Sequence, residues 1–247
     1  MDQGSITPVA DLHKITFGTV SRAVDRASEA LVAIKKLPAH KVKDRDAVCR
    51  EINLLRQFAH TNILKFHVAH AVIHESKWTI YVHVVTEYMN NGCLDSVWDE
   101  KIRPTEAQIA SVCKHNGATT QFGAHEGDFG LSVQLGPERL VASGKIGTPF
   151  YMAPEAHFEH KYGTKVDIWA LNVTTVELYS RSEDADLRAA IIEARIRRGT
   201  PLEVLEKRLP LLVDFEQFLI RCTACVPDQL ATAADLLRVS LQLPQPD

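Results

Sequence analysis

Three residues in this chain have types and spacing suited to phosphate and metal chemistry. Lys35 closes the run Val32-Ala33-Ile34-Lys35, which reads as a strand ending in a cation. Glu51 follows sixteen residues later in CREINLL, a stretch with helical periodicity. A strand lysine and a helix glutamate at that gap can pair across a strand–helix interface. In a phosphate site the lysine neutralises phosphate charge and the glutamate holds the lysine in place. Asp128 stands in Asp128-Phe129-Gly130. A carboxylate is a hard oxygen ligand suited to Mg²⁺, and the glycine frees the backbone to turn. Each string alone has a plainer reading, as an alternating strand with a solvated lysine or as a chance tripeptide.

These groups need elements to position them. The first ~90 residues carry β-branched runs in KITFGTVSRAVD, EALVAIKKL, HVAHAVIH and WTIYVHVVTEYM, separated by polar turns. One helix interrupts them, over about Asp44 to Phe58, with Val48, Ile52, Leu55 and Phe58 at helical spacing. After Asn90-Asn91-Gly92, a turn signal, helical patterns dominate. They are PTEAQIASVCK, YGTKVDIWALNVTTVELYS, ADLRAAIIEARIRR, LVDFEQFLIRCTAC and ATAADLLRVSLQ. A Gly- and Pro-bearing stretch without periodicity runs from about Asn116 to His160. An irregular stretch of that length in a compact domain is usually functional or mobile. The expectation is an α+β protein in two lobes.

Composition narrows the function classes. The chain has 247 residues, 45% apolar and 24% charged, an ordinary globular mix. The net charge of −3 gives no reason to expect nucleic acid or an anionic membrane as partner. No stretch approaches the ~18 uninterrupted apolar residues of a transmembrane helix. Met1 to Lys14 carries no apolar leader run, so a cytoplasmic or nuclear location is expected. Five scattered cysteines in a leaderless chain argue against a disulfide framework. Cys222 and Cys225 form a lone C-x-x-C in an amphipathic stretch without further zinc ligands, and are expected to be core thiols.

The motifs VAIK, a helical Glu, VTEYMNNGCL, DFGLS, GTPFYMAPE and YGTKVDIWAL stand in the order of protein-kinase subdomains. The chain therefore resembles a protein kinase domain. TEAQIASVCK, YGTKVDIWAL and RRGTPLEVLEK look most like p21-activated kinases of the STE20 group. The resemblance spans roughly Leu12 to Leu241, with lobes over about 12–89 and 90–241 and a tail at 242–247. It implies ATP and Mg²⁺ as cofactors. Lys35 would contact the α/β-phosphates, with Glu51 as its pair. Gly18 and Val20 would remain from the glycine-rich loop. Thr86 would stand at the back of the adenine pocket, with the backbone of Glu87 and Met89 bonding adenine. Asp128 would bind Mg²⁺. Asp128 to Glu155 would form the activation segment and Tyr162 to Ser180 a buried helix. Protein substrates or signalling proteins would be the partners.

The departures bear on function. A kinase needs H-R-D-x-x-x-x-N, whose Asp accepts the substrate hydroxyl proton and whose Asn holds a second metal. Here 14 residues separate Cys113 from Asp128, and no H-R-D stands among them. His115-Asn116 reads as a surface connector rather than a replacement base. The pattern G-x-G-x-x-G-x-V survives only as KITFGTV, which predicts weak ATP binding. The Arg expected to pair with Glu155 is matched by Leu230, and the activation-segment Thr by Gly144, beside Ser143. Asp167 would lack the catalytic loop it normally fastens, and SRSEDADLR lacks the loop expected after Ser180. No GTPase-binding segment is read ahead of the first strand. The expectation is a pseudokinase of the p21-activated type with weak or no ATP binding. The alternatives are an active serine/threonine kinase, or the product of exon loss or a faulty gene model.

Overall fold

A computed structural model describes residues 6–15, 18–39, 42–74, 79–90, 104–115, 128–144, 147–180, 213–222, 224 and 226–240. The chain divides into two compact units, Met1–Gly92 with Gly123–Ser132, and Cys93–Phe122 with Val133–Asp247.

The first unit is built on an antiparallel sheet. Its elements are β1 (Ile6–Ile15), β2 (Gly18–Asp25), β3 (Leu31–Pro38), α1 (Val42–Gln57), β4 (Phe66–His74) and β5 (Thr79–Glu87). The strand order is β1-β2-β3-β5-β4. Alternation along β3 sorts its side chains to two faces. Val32 and Ile34 pack with Ala23 and Val85 on one, and Leu37 packs with Val48, Leu55 and Val84 on the other. The second face is the one α1 covers. Val48, Ile52 and Leu55 of α1 serve that contact as their spacing predicts. Phe58 does not, because the helix ends at Gln57 and leaves the ring 42% exposed.

The first strand begins at Ile6, ahead of the expected start near Leu12. Pro8 argues against a strand there, because proline cannot donate to a ladder. β1 lies at the edge of the sheet, where a missing N–H is tolerated, and the register shifts between Pro8 and Ala10. KITFGTVSRAVD is thus no single strand but parts of two, joined across Ile15 and Gly18. At Gly18 a Cβ would stand 1.9 Å from the carbonyl oxygen of Lys36. The residue is held to glycine by the close approach of β2 to β3.

The second unit is helical. It contains α2 (Glu106–His115), β6 (Ala142–Ser143), β7 (Lys161–Tyr162), α3 (Lys165–Ser180), α4 (Val213–Cys222) and α5 (Ala233–Ser240). Thr105 starts α2 with a reciprocal cap. Its hydroxyl accepts from the Gln108 N–H at 3.2 Å, and the Gln108 side chain accepts from the Thr105 N–H at 2.8 Å. Thr232 and Asp235 repeat the device at α5. α3 is apolar on several faces and accordingly buried. Ile168, Val176 and Leu178 pack with Ile109, Phe215 and Leu219, while Trp169 and Val173 pack with Ala153. The helix starts at Lys165, not Tyr162 as expected. Lys161 and Tyr162 are instead paired with Ser143 and Ala142.

The stretch expected to be irregular up to His160 holds 3-10 and π turns at Pro149–Tyr151 and Glu155–Glu159. The patterned segment ADLRAAIIEARIRR and SRSEDADLR beyond Ser180 lie outside the described residues. No helix among the described residues is long and apolar enough to cross a membrane. The α+β class and its β-rich and helical parts are as the sequence predicts.

Gly18→Ala is expected to lower unfolding stability by about 1–3 kcal/mol, the usual cost of overpacking a tight site. Gly136→Ala, where a Cβ would meet nothing within 4 Å, serves as the control and should change little. Urea denaturation of both variants checks this.

Candidate functional site

Cross-strand register assembles most of the expected site on one face of the sheet. Lys35 lies opposite Val20 on β2 and Val84 on β5, and Ala33 lies opposite Thr86. Directly opposed residues share a face, as do residues two apart in one strand. Val20, Ala33, Lys35, Val84 and Thr86 therefore share the face that α1 covers. Gly18 opens β2 two residues before Val20.

The Lys35 ammonium stands between two carboxylates. Its Nζ donates to Glu51 Oε1 at 2.8 Å and to Asp128 Oδ1 at 3.0 Å. The two acceptors differ sharply in setting, since the Glu51 side chain is 3% exposed and that of Asp128 is 75% exposed. Burial raises the Glu51 pKa, and the hydrogen bond and charge of Lys35 pull it back down. The Asp128 charge adds to the upward push. Phe129 packs onto the cluster of Leu37, Val48, Leu55 and Val84, which anchors the Asp128 backbone beside α1. Gly130 has no positive φ, so turning freedom is not what glycine supplies there. A Cβ at Gly130 would instead stand 3.4 Å from Glu51 Oε2, so the small residue leaves room beside the carboxylates. Lys35, Glu51 and Asp128 all belong to the first unit.

The residues expected at the adenine end are partly engaged within the protein. The Glu87 N–H donates to the Lys65 carbonyl at 3.0 Å, and Glu87 Oε1 accepts from the Lys65 N–H at 2.7 Å. The Glu87 carbonyl accepts from the Thr86 hydroxyl at 3.3 Å. Thr86 is buried. Met89 is half-buried, and its backbone makes no hydrogen bond to another described residue.

Asp128 offers a cation one carboxylate, with one oxygen already on Lys35. Among the described residues no group of three or more His, Cys, Asp or Glu could hold a metal. A magnesium ion at Asp128 would draw its other ligands from water and nucleotide phosphates, a usual arrangement for this ion.

The remaining expected positions lie in the second unit. Glu155 is 6% exposed, and its Oε1 has no partner among the described residues. Burial, with Glu159 nearby, raises its pKa. Leu230 is buried where the resemblance expects an arginine. Gly144 stands at φ 118°, a conformation that a threonine at that position would resist. Ser143 is exposed on β6, opposite Lys161. The Asp167 carboxylate is reachable by solvent but crowded by protein atoms, which raises its pKa. Cys222 is a fully buried core thiol, as expected, and Cys225 lies outside the described residues. Burial pushes the Cys113 thiol up to about 11, and it shares a 3.1 Å contact with the Thr175 hydroxyl. His115 ends α2, and Asn116 lies outside the described residues.

The direct Lys35–Asp128 contact joins residues 93 apart in the chain. Periodicity carries no signal for it, and only the order of motifs could have suggested it.

Comparison with known proteins points the same way. The family model described as the protein kinase domain matches residues 14–122 and 125–238. The serine/threonine-protein kinase STE20 of Candida glabrata is 30% identical over 256 residues, spanning 92% of this chain and 27% of that protein. Its Saccharomyces cerevisiae namesake is 29% identical, spanning 94% of this chain and 26% of its own length. The serine/threonine-protein kinase PAK mbt of Drosophila melanogaster is 29% identical, with 89% and 37% covered. The chain thus spans about a quarter to just over a third of the length of these curated relatives.

Lys35→Met leaves Glu51 buried without its cation and is expected to cost about 3 kcal/mol at neutral pH. The Glu51 pKa is already raised in the folded state and rises further without Lys35. The deficit should therefore be smallest below the ordinary carboxylate pKa and open as pH rises through the folded value. Asp128→Asn, at the exposed end, should cost under ~1 kcal/mol. Glu155→Gln should raise the melting temperature at neutral pH by ~2–4 °C, the shift that ~1 kcal/mol gives in a chain of this size. That gain should vanish in acid, where the carboxyl is neutral in both folded and unfolded chains. Thermal melts across pH 4 to 8 read both.

Proposed function

Because the chain belongs to the protein kinase domain family, we propose that it is a nucleotide-binding homologue of STE20- and p21-activated-type serine/threonine kinases that transfers phosphate poorly or not at all. The observation that carries this is the closed Lys35–Glu51 pair, with Asp128 on the same ammonium, in a chain without H-R-D. Kinase catalysis requires the lysine–glutamate pair in place, and here that half of the machinery is assembled.

In this reading Lys35 releases Asp128 and turns to the α/β-phosphates, while Glu51 keeps the ammonium oriented. Val20 and Thr86 border the base, and the Glu87 carbonyl and the Met89 backbone bond its edge. Magnesium, when bound, would neutralise phosphate charge, and Asp128 would be its protein ligand. The glycine-rich turn is reduced to Gly18, which strand packing already requires, so few backbone N–H groups face the phosphates. Weak affinity follows.

The transfer step lacks its base. A substrate hydroxyl needs an acceptor for its proton within hydrogen-bond reach as the phosphoryl group departs. The sequence places no Asp between Cys113 and Asp128 to do this. Positioning and charge stabilisation supply nearly all of kinase catalysis, so the loss is severe. The protein would then serve as a scaffold whose binding state reports nucleotide. An active serine/threonine kinase is the second reading, favoured by the same closed Lys35–Glu51 pair.

Two measurements separate these readings. Millimolar ATP, with and without Mg²⁺, is expected to raise the melting temperature of the wild type and not of Lys35→Met. No shift in the wild type would remove the nucleotide-binding proposal. With labelled Mg²⁺-ATP and a basic Ser/Thr peptide, phosphate transfer is expected to match the Lys35→Met background. Turnover that disappears in both Lys35→Met and Asp128→Ala would establish the active kinase instead.

A further inference from the structure

Away from the lysine site, the first unit carries a groove of about 500 Å³ between α1 and the β4–β5 hairpin. Ile52 and Arg56 of α1, residues 66–71 of β4 and Val82 of β5 line it. Ile52 and Arg56 are four residues apart and share one helix face.

Three features coincide at this groove. First, β4 ends the strand order, so one side of its backbone faces no partner strand among the described residues. Second, the groove floor continues as an apolar strip. Ala71 is paired with Val82 and Ile73 with Ile80, and alternation puts all four on the face that α1 partly covers. Beyond the helix the strip is open, with Ile73 60% and Ile80 42% exposed. Third, Arg56 is exposed, makes no ion pair with a described residue, and is the one charged side chain in the lining. No carboxylate lines the groove, although the chain carries a net charge of −3.

Plainer readings cover each feature singly. Arg56 lies in the last turn of α1, where a cation suits the helix dipole. Single exposed isoleucines are ordinary. Neither accounts for an open edge, an apolar strip and a guanidinium without an ion pair among the described residues along one groove.

We propose that this groove docks an extended acidic segment of a partner protein, added along the free edge of β4. Main-chain hydrogen bonds to β4 would give register, and alternate apolar side chains would cover Ala71, Val82 and the exposed isoleucines. A Glu or Asp of the segment would meet Arg56, whose planar fork suits a carboxylate. The site is separate from Lys35, Glu51 and Asp128, so it stands whether or not nucleotide binds.

The test uses the full chain and fluorescein-labelled peptides of about ten residues, alternating Ile and Thr around one Glu, an edge-adding pattern. Matched peptides carry Gln or Lys in place of that Glu. Fluorescence anisotropy at physiological salt is expected to show the Glu peptide binding about tenfold tighter than the Gln peptide, the equivalent of ~1.4 kcal/mol. Arg56→Glu should abolish that preference while leaving the melting temperature unchanged. Ala71→Glu, at an exposed strand position, should weaken the Glu peptide as well, and covers the case in which Arg56→Glu misfolds. Amide hydrogen exchange should show new protection on β4. Equal binding of the Gln or Lys peptide, a preference that survives in Arg56→Glu, protection that falls elsewhere, or no binding of any peptide at millimolar concentration would each overturn the proposal.

Discussion

One ammonium group joins strands, helix and loop in the first unit. Lys35 stands on β3, Glu51 on α1 and Asp128 in a segment far along the chain, and a single Nζ bonds both carboxylates. The contact with Glu51 decides more than the contact with Asp128. Glu51 has little water to stabilise its charge, so Lys35 is what makes an ionised carboxylate tolerable there. Asp128 is mostly solvated, so its charge depends far less on Lys35. The hydrophobic contacts are arranged around this ion pair. Val48, Leu55 and Val84 hold α1 to the sheet, and Phe129 seats its loop on the same cluster.

Much of this was legible in the sequence because the informative signals are local. Val48, Ile52 and Leu55 announce the helix face, and alternation in β3 announces the sheet. Lys35 and Glu51 at their gap suggest a strand–helix pair before any family is named. The misses have local causes too. Pro8 conceals an edge strand that tolerates it, and Tyr162 reads as helix because a two-residue strand is too short to show a period. Phe58 fits a helical stripe that the helix does not reach. The Lys35–Asp128 contact joins chain segments distant in sequence, and no local pattern encodes it. The missing arginine partner of Glu155 was legible only through the family resemblance, from Leu230 at the expected position.

The second unit contrasts a well-filled apolar core with less evenly satisfied polar positions. Its core is ordinary and well filled, with α3 clasped between two apolar clusters and two helices carrying reciprocal caps. The polar positions are where it is out of balance. Among the described residues Glu155 Oε1 has no partner, and protein atoms around the solvent-reachable Asp167 carboxylate raise its pKa.

Gly144 limits what its position can carry. Its backbone lies at φ 118°, on the connection that follows β6, and its N–H donates to the His160 carbonyl at 2.9 Å. Restoring a threonine would put a β-branched side chain into a conformation that glycine alone adopts without strain. A hydroxyl side chain is therefore not accommodated at this position while the connection keeps its path. Any substitution that installs one has to move the backbone first, so this position is governed by main-chain geometry ahead of side-chain chemistry.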